Sequence, residues 1–562
     1  MNVRRRTLLA GALAAPLAAC HRKVTTAWSG GWIGADAERG HRLRDSKSGA
    51  LPAPATQRRA GVIVVGGGIA GLAAARALVA DGIDDVQLLE LEDTAGGNSR
   101  GHVLGGMACP LGAHYLPVPG EHATEVVELL EQLGLRRTEF GQPVYDERHL
   151  CHSPQERIFI AGHWHEGLLP PLDALPSEQR ADTQAQYRRF AAAVEQASAG
   201  SAFTLPTARS AWSPALAALD ATPFANWLDT QGLVAPALRW YLDYCCRDDY
   251  GAGAAQVSAW AGLHYFASRH GFHAPGDGSD ERDGVLTWPE GNAWLARQLA
   301  KPLAERIHAG SVVLRVDEDH HEVRVDLWNA RTQQAERWSA AQLVLATPLF
   351  VSARLLAQPL DALTQVVATM RHAPWLVGNL QLRDALDDRP GAAPSWDNVL
   401  YETGPAGAML GYVDAMHQST RPYPGPTVLT SYWALGGDDA AQLRANRTRL
   451  LAEPWQAWAG RIVDDLARAH PDLPAKLERI DLMRYGHAMS VPVPGLRSSA
   501  ALRVLALPQR QRRVHFAHAD LSGYSVFEEA MFHGTRAAAQ VRAAFASPQP
   551  KPLPKPPLKP AS

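Results

Sequence analysis

The apolar run Gly61-Val62-Ile63-Val64-Val65 carries four β-branched residues in succession and no polar alternation. That pattern predicts a strand buried on both faces. The run leads straight into glycine, after which Leu72 to Leu78 reads as a strong helix former with a stop at Asp81-Gly82. Val86-Gln87-Leu88-Leu89 predicts a second strand, ending on Glu90. Farther on, Asp182 to Ala197 and Ala235 to Cys246 predict helices, and Thr427 to Ser431 predicts a strand between polar and proline-rich turns. The apolar run Leu8 to Leu17 is too short to span a bilayer, and no other stretch is apolar for about eighteen residues, so no transmembrane helix is predicted. Pro548 to Pro560 alternates proline with lysine and predicts an extended tail outside the fold.

Composition narrows the function classes. The 562 residues, 46% of them hydrophobic, exceed what one ordinary domain needs and predict two. A net charge of -2 supplies no field to gather nucleic acid or an anionic membrane, so a small-molecule substrate is expected and nucleic acid is not. Sixteen tryptophans suit either a core or a flat apolar pocket. Cys20, Cys109, Cys151, Cys245 and Cys246 have neither a zinc spacing nor the density of a disulfide scaffold.

The strand, the glycine turn and the helix together carry chemistry. Gly66, Gly68 and Gly71 stand in G-x-G-x-x-G spacing. Gly66 permits the tight turn, Gly68 admits a pyrophosphate against the backbone, and Gly71 lets helix and strand pack closely. Ile69 and Ala70 then open the helix, whose positive N-terminus faces the phosphates. Glu90 lies nineteen positions beyond Gly71, at the end of the second strand, where a carboxylate accepts hydrogen bonds from ribose hydroxyls. A bound adenine dinucleotide is the expected ligand.

Two resemblances add to this reading. Arg5-Arg6-Thr7-Leu8-Leu9 resembles a twin-arginine export signal, and Leu17-Ala18-Ala19-Cys20 resembles a lipobox, which together imply an exported, periplasmic protein with a lipid on Cys20 as its membrane link. The run from Glu90 through Gly96, Gly97 and Asn98 resembles the flavin amine oxidase and phytoene desaturase superfamily, in which the paired glycines mark FAD. Leu111-Gly112-Ala113-His114-Tyr115 is similar to that family's segment beside the flavin ring. Val313 falls where family members contact adenine, and the segment Val514 to Asp520 resembles the strand whose aspartate meets the ribityl chain. The resemblance implies non-covalent FAD held by these residues. It also implies an α/β, Rossmann-like FAD domain from residues 61–120, 284–355 and 480–546, interleaved with an α+β substrate domain from 121–283 and 356–479. Residues 1–20 are then the signal, 21–60 a linker and 547–562 the tail.

The family's chemistry implies hydride transfer to the flavin N5 atom, with amine oxidation as the leading activity. Desaturation or isomerisation of an apolar polyene, and a flavin-bearing scaffold without turnover, are the alternatives. Tyr485, in Arg484 to Met489, matches the segment carrying an aromatic residue over the flavin, and Tyr524 is expected to pair with it; His114 is the third candidate. Many amine oxidases place a lysine near N5, but the corresponding Trp375 to Asn379 has none, so oxygen is not expected to be the fast electron acceptor and the acceptor stays open. Asp243, Asp248 and Asp249 around Arg247 suit an ammonium group, although a solvated, self-paired helix face is the plainer expectation. His163 and His165 would share one face of a strand, which is too few ligands for a metal, and none is expected.

Overall fold

The computed structural model describes residues 28–46, 51–274, 284–401, 409–508 and 512–546. The export signal, Cys20 and the tail from residue 547 lie outside the described residues. Within them, no helix is long and apolar enough to cross a membrane.

The apolar run folds as the strand Thr56–Val65, with Val62 to Val65 buried. It is central because both of its edges are taken by parallel neighbours. Val86–Glu90 lies on one side with Val62 opposite Val86, and Gln334–Leu345 on the other with Val62 opposite Gln342. Ile307–Ala309 extends the sheet beyond Val86–Glu90, and Val514–Phe516 adds in parallel to the end of Gln334–Leu345. Ser311–Glu318 and Val323–Asn329 join the same layer as an antiparallel meander. The helix Ile69–Ala80 follows the first strand, and the C-terminal helix Phe527–Ala546 packs on it. Their contact depends on Gly534, where a Cβ would press into the carbonyl oxygen of Ala70.

A second sheet, eight-stranded among the described residues, brings together distant segments. Its order is Ser29–Trp32, Leu477–Val491, Arg371–Leu382, Thr427–Ala434, Met409–Asp414, Asp397–Leu400, Glu156–Ile160 and His163–Glu166. The helices Ser177–Ser198, Pro236–Tyr250 and Ala259–Tyr265 form the accompanying helical part, and a π-helical turn, Phe266–His270, continues the last of them. Phe190 meets Phe266 and Phe272 edge-on at 5.2 and 4.8 Å in this helical core. The mixed α/β architecture agrees with the fold class expected from the sequence.

Two expectations about organisation need correction. Residues 21–60 are not a linker throughout: Ser29–Trp32 pairs in parallel with Leu477–Val491, from Ser29 opposite Arg479 to Trp32 opposite Leu482. Ala37–Asp45 is a helix capped by Asp36, whose carboxylate accepts from the N–H groups of Glu38 and Arg39. The paired glycines Gly30 and Gly31 hide the strand, because its stability comes from the neighbouring edge and not from its own residues. Residues 480–491, expected in the FAD-binding part, instead belong to the second sheet through Leu477–Val491.

Candidate active site

A cavity of about 470 Å³ is lined by both sheets. Gly66, Gly68, Ile69 and Ala70 line one end, where the first strand turns into its helix. A Cβ on Gly66 would meet the Ala346 carbonyl oxygen at 2.7 Å, and the residue holds φ +101°, which glycine alone adopts at little cost. A Cβ on Gly68 would meet only Gly97 Cα, at 3.9 Å, so that face of the turn opens onto the cavity. Gly71 does not line the cavity. A Cβ there would overlap the Gly66 carbonyl oxygen, so Gly71 supports the turn from behind.

Glu90 closes this end. Its carboxylate accepts from the N–H of Gly67 at 2.6 Å and of Glu92 at 2.8 Å, which ties strand end to glycine turn. Burial pushes its acidity toward the neutral form, while those two N–H groups oppose the shift. Gly96 and Gly97 follow along the wall at φ +138° and +59°, and Val313 also lines the cavity. These residues form an open backbone cradle with a carboxylate at its edge, which fits the phosphates and ribose of FAD.

Midway, Asn98, Gly112, Ala113 and Asp520 line the wall. The Ala113 N–H donates to the Asn98 carbonyl at 2.9 Å, and Asn98 Nδ2 donates to the Ala488 carbonyl at 2.6 Å. Asp520 is fully buried and accepts from the Leu349 N–H at 2.9 Å; His372 Nε2 lies 3.0 Å from the same carboxylate. Burial works against its charge, yet His372 and His518 beside it hold the carboxyl well below the usual range.

The far end is aromatic and acidic. Tyr485 and Tyr432 donate their hydroxyls to the carbonyls of Leu111 and Gly112, at 2.7 and 3.2 Å, and so fasten the segment 111–114 to the second sheet. His114 stacks on Tyr432 at 4.3 Å, and burial lowers its pKa to about 3, so the imidazole is neutral. Trp375 is the register partner of Tyr485 and also lines the cavity. Beyond these rings stand Asp248 and Asp249, at the end of Pro236–Tyr250. Tyr115 Oη lies 3.5 Å from Asp248 Oδ2, while Asp249 pairs with Arg269 at 3.2 Å. Burial, reinforced by Asp249, pushes the Asp248 carboxyl up to about 7.

Tyr524 is the sequence candidate that stands apart. It is 1% exposed, packs edge-on against Tyr250 at 5.7 Å, and directs its hydroxyl to Glu529 at 3.4 Å. It does not line the cavity, and the expected Tyr485–Tyr524 pair does not form. Tyr432 and Trp375 take the positions beside Tyr485 instead. The aspartate reading is also revised. Asp243 does pair with Arg247 on the helix surface at 2.9 Å, but Asp248 and Asp249 turn inward. The helical spacing of Tyr241, Tyr244, Cys245 and Asp248 was the available signal, since those positions form one stripe and the first three are apolar or aromatic. His163 and His165 form no metal cluster with other residues among those described.

The chain matches known flavoproteins in shape. Cyclohexylamine oxidase from Brevibacterium oxydans IH-35A superposes with a TM-score of 0.60 at 21% identity, covering 87% of this chain and all of that one. Wild-type putrescine oxidase bound to putrescine gives a TM-score of 0.60 at 17% identity, with coverage of 87% and 100%. A fatty acid isomerase from P. acnes that produces CLA gives 0.58 at 15%, with coverage of 86% and 98%. At such identities the likeness shows the fold, and the three names span different reactions. The sequence match is more specific, and with the glycine cradle, the strand-end carboxylate and the common fold it leads to one conclusion: through a family model matching residues 69–542, the chain belongs to the flavin-containing amine oxidoreductases and is an FAD-dependent enzyme.

Proposed function

We propose that this enzyme oxidises an amine, and that Asp248 receives the substrate as its ammonium ion. The observation that carries the reading is a cavity-lining carboxylate that forms no ion pair among the described residues, set beyond an aromatic wall from the dinucleotide cradle. FAD, when bound, supplies the N5 acceptor for a hydride from the carbon bearing nitrogen. The turn from Gly66 to Ala70 holds the phosphates and Glu90 the ribose. Gly96, Gly97, Asn98, Gly112, Ala113, Val313 and Asp520 line the length between. Asp248 takes one proton from the ammonium group, which frees the nitrogen lone pair to support loss of hydride from the neighbouring carbon. Tyr485, Tyr432 and Trp375 confine that carbon and exclude water.

An apolar polyene offers nothing to Asp248, and burying an unpaired carboxylate against it would be costly. The test is anaerobic mixing of the yellow protein with a panel of amines and a panel of polyenes while following the flavin absorbance. Bleaching by amines is the expected result; bleaching by polyenes alone would overturn the reading. We infer also that the protein is exported with its flavin already bound. Changing Arg5 and Arg6 to lysine is expected to leave loaded protein in the cytoplasm, and Cys20→Ala to release it from the membrane fraction; periplasmic or membrane-bound protein after those changes would contradict the inference.

A further inference from the structure

A second, smaller pocket of about 140 Å³ adjoins the first, and the two share one lining residue, Arg269. Its walls include Gly120, His122, Phe203, Ser268 and Glu528. Arg269 is 8% exposed and spans the partition: Nη1 pairs with Asp249 on the cavity side at 3.2 Å, and Nε approaches Glu528 on the outer side at 3.6 Å. Burial opposes its charge, but Glu528 and Asp249 hold the guanidinium firmly protonated.

The outer contact is incomplete. Glu528 is 2% exposed, and its Oε2 has no hydrogen-bond partner among the described residues, although the side chain lines the outer pocket. Arg269 Nε likewise makes no hydrogen bond there. A buried carboxylate oxygen left without a donor is costly and calls for a cationic or hydrogen-bonding occupant. Arg269 also stands on the π-helical turn Phe266–His270, an irregular geometry often found where a helix serves a site.

We propose that the outer pocket is the antechamber of the flavin cavity, that it binds small organic ammonium ions at Glu528, and that Arg269 is the movable partition between the two. An incoming ammonium replaces the guanidinium at Glu528, and Arg269 retreats onto Asp249. Glu528 and Asp249 each keep a cation throughout, so the exchange avoids the cost of stranding a charge. A neutral molecule brings no cation to release Arg269, which makes the passage selective for amines before any chemistry occurs. This inference rests on the amine reading above.

Gly120 lines the outer pocket and a Cβ there meets nothing within 4 Å, so it is the position at which to introduce a bulky side chain. The holoenzyme is mixed anaerobically in a stopped-flow instrument with the amine that bleaches it fastest and, separately, with sodium dithionite. Gly120→Trp is expected to lower the second-order rate constant of bleaching by the amine about tenfold or more, with the limiting rate at saturating amine unchanged, and to leave dithionite, an anion that brings no cation to release Arg269, unaffected. Glu528→Gln is expected to lower the amine constant comparably and leave dithionite unaffected. An unchanged Gly120→Trp variant would refute the passage, and a Glu528→Gln variant that loses nothing with amines would refute ammonium docking. Should no amine bleach the wild type, the amine reading itself has failed, whereas an amine that bleaches wild type and Gly120→Trp at equal rates refutes the passage alone.

Discussion

Gly68 and Asp248 mark the two ends of the cavity, and each permits a sharp test. The face of Gly68 opens onto the cradle, where an added Cβ meets only Gly97 Cα at 3.9 Å, so Gly68→Val fills the approach to the pyrophosphate. The variant is expected to fold but purify colourless; normal FAD content in the acid supernatant would contradict the assignment of the turn. Tyr524 tests the opposite claim. Because it points away from the cavity toward Glu529, Tyr524→Phe is expected to leave kcat within about twofold, since a contact as long as 3.4 Å contributes little. A loss of a hundredfold in steady-state assays would restore the aromatic pair that the fold does not form. The contrast shows what was legible at this scale. Gly66, Gly68 and Glu90 follow from local backbone demands and are visible in a short window. The role of Asp248 depends on Tyr115, 133 positions away, and on the pairing of Asp249 with Arg269, 20 positions away, which no window contains.

Among the elements, the strand–turn–helix unit was readable because buried parallel strands require continuous apolar runs, and the strand Thr56–Val65 has one. The strand Ser29–Trp32 and helix Ala37–Asp45 were not, because their stability is borrowed from a sheet edge and from contacts such as Arg39 with Asp93 at 2.9 Å. Gly40 and Leu43 of that helix line the cavity. Deleting residues 28–46 is therefore expected to weaken FAD retention as well as stability, measured by flavin release during thermal unfolding; unchanged release would show that the helix is dispensable. The contact between helices Ile69–Ala80 and Phe527–Ala546 makes a separate prediction. Gly534→Val forces the two apart at Ala70, an overpacking that costs about 1–3 kcal/mol, and the midpoint of unfolding followed by circular dichroism should fall. An unchanged midpoint would mean the helices have room to adjust.

At the scale of the whole molecule, the cavity's charge sets both the electron acceptor and the pH response. Lys301 and Lys476 are the lysines among the described residues, and neither lines the cavity; Arg484 lies over Trp32 at 4.5 Å, and His114 is neutral. With no lysine in the lining and Arg269, which does line it, held by Asp249, reduced enzyme is expected to be reoxidised faster by a quinone or dye than by air-saturated buffer, and fast stopped-flow reoxidation by oxygen would contradict this. Asp248 governs the reductive side. Its carboxyl is pushed up to about 7, so the ionised form that pairs with an ammonium is lost as pH falls through that value. The most direct test of the account is the pH profile of anaerobic flavin bleaching by an amine, wild type against Asp248→Asn. The wild-type second-order rate constant is predicted to fall about tenfold per unit below a pH of about 7. The variant is predicted to lose that acid limb and about 2–5 kcal/mol of binding at neutral pH. The same acid limb and the same rate in Asp248→Asn would contradict the placement of the amine at this carboxylate.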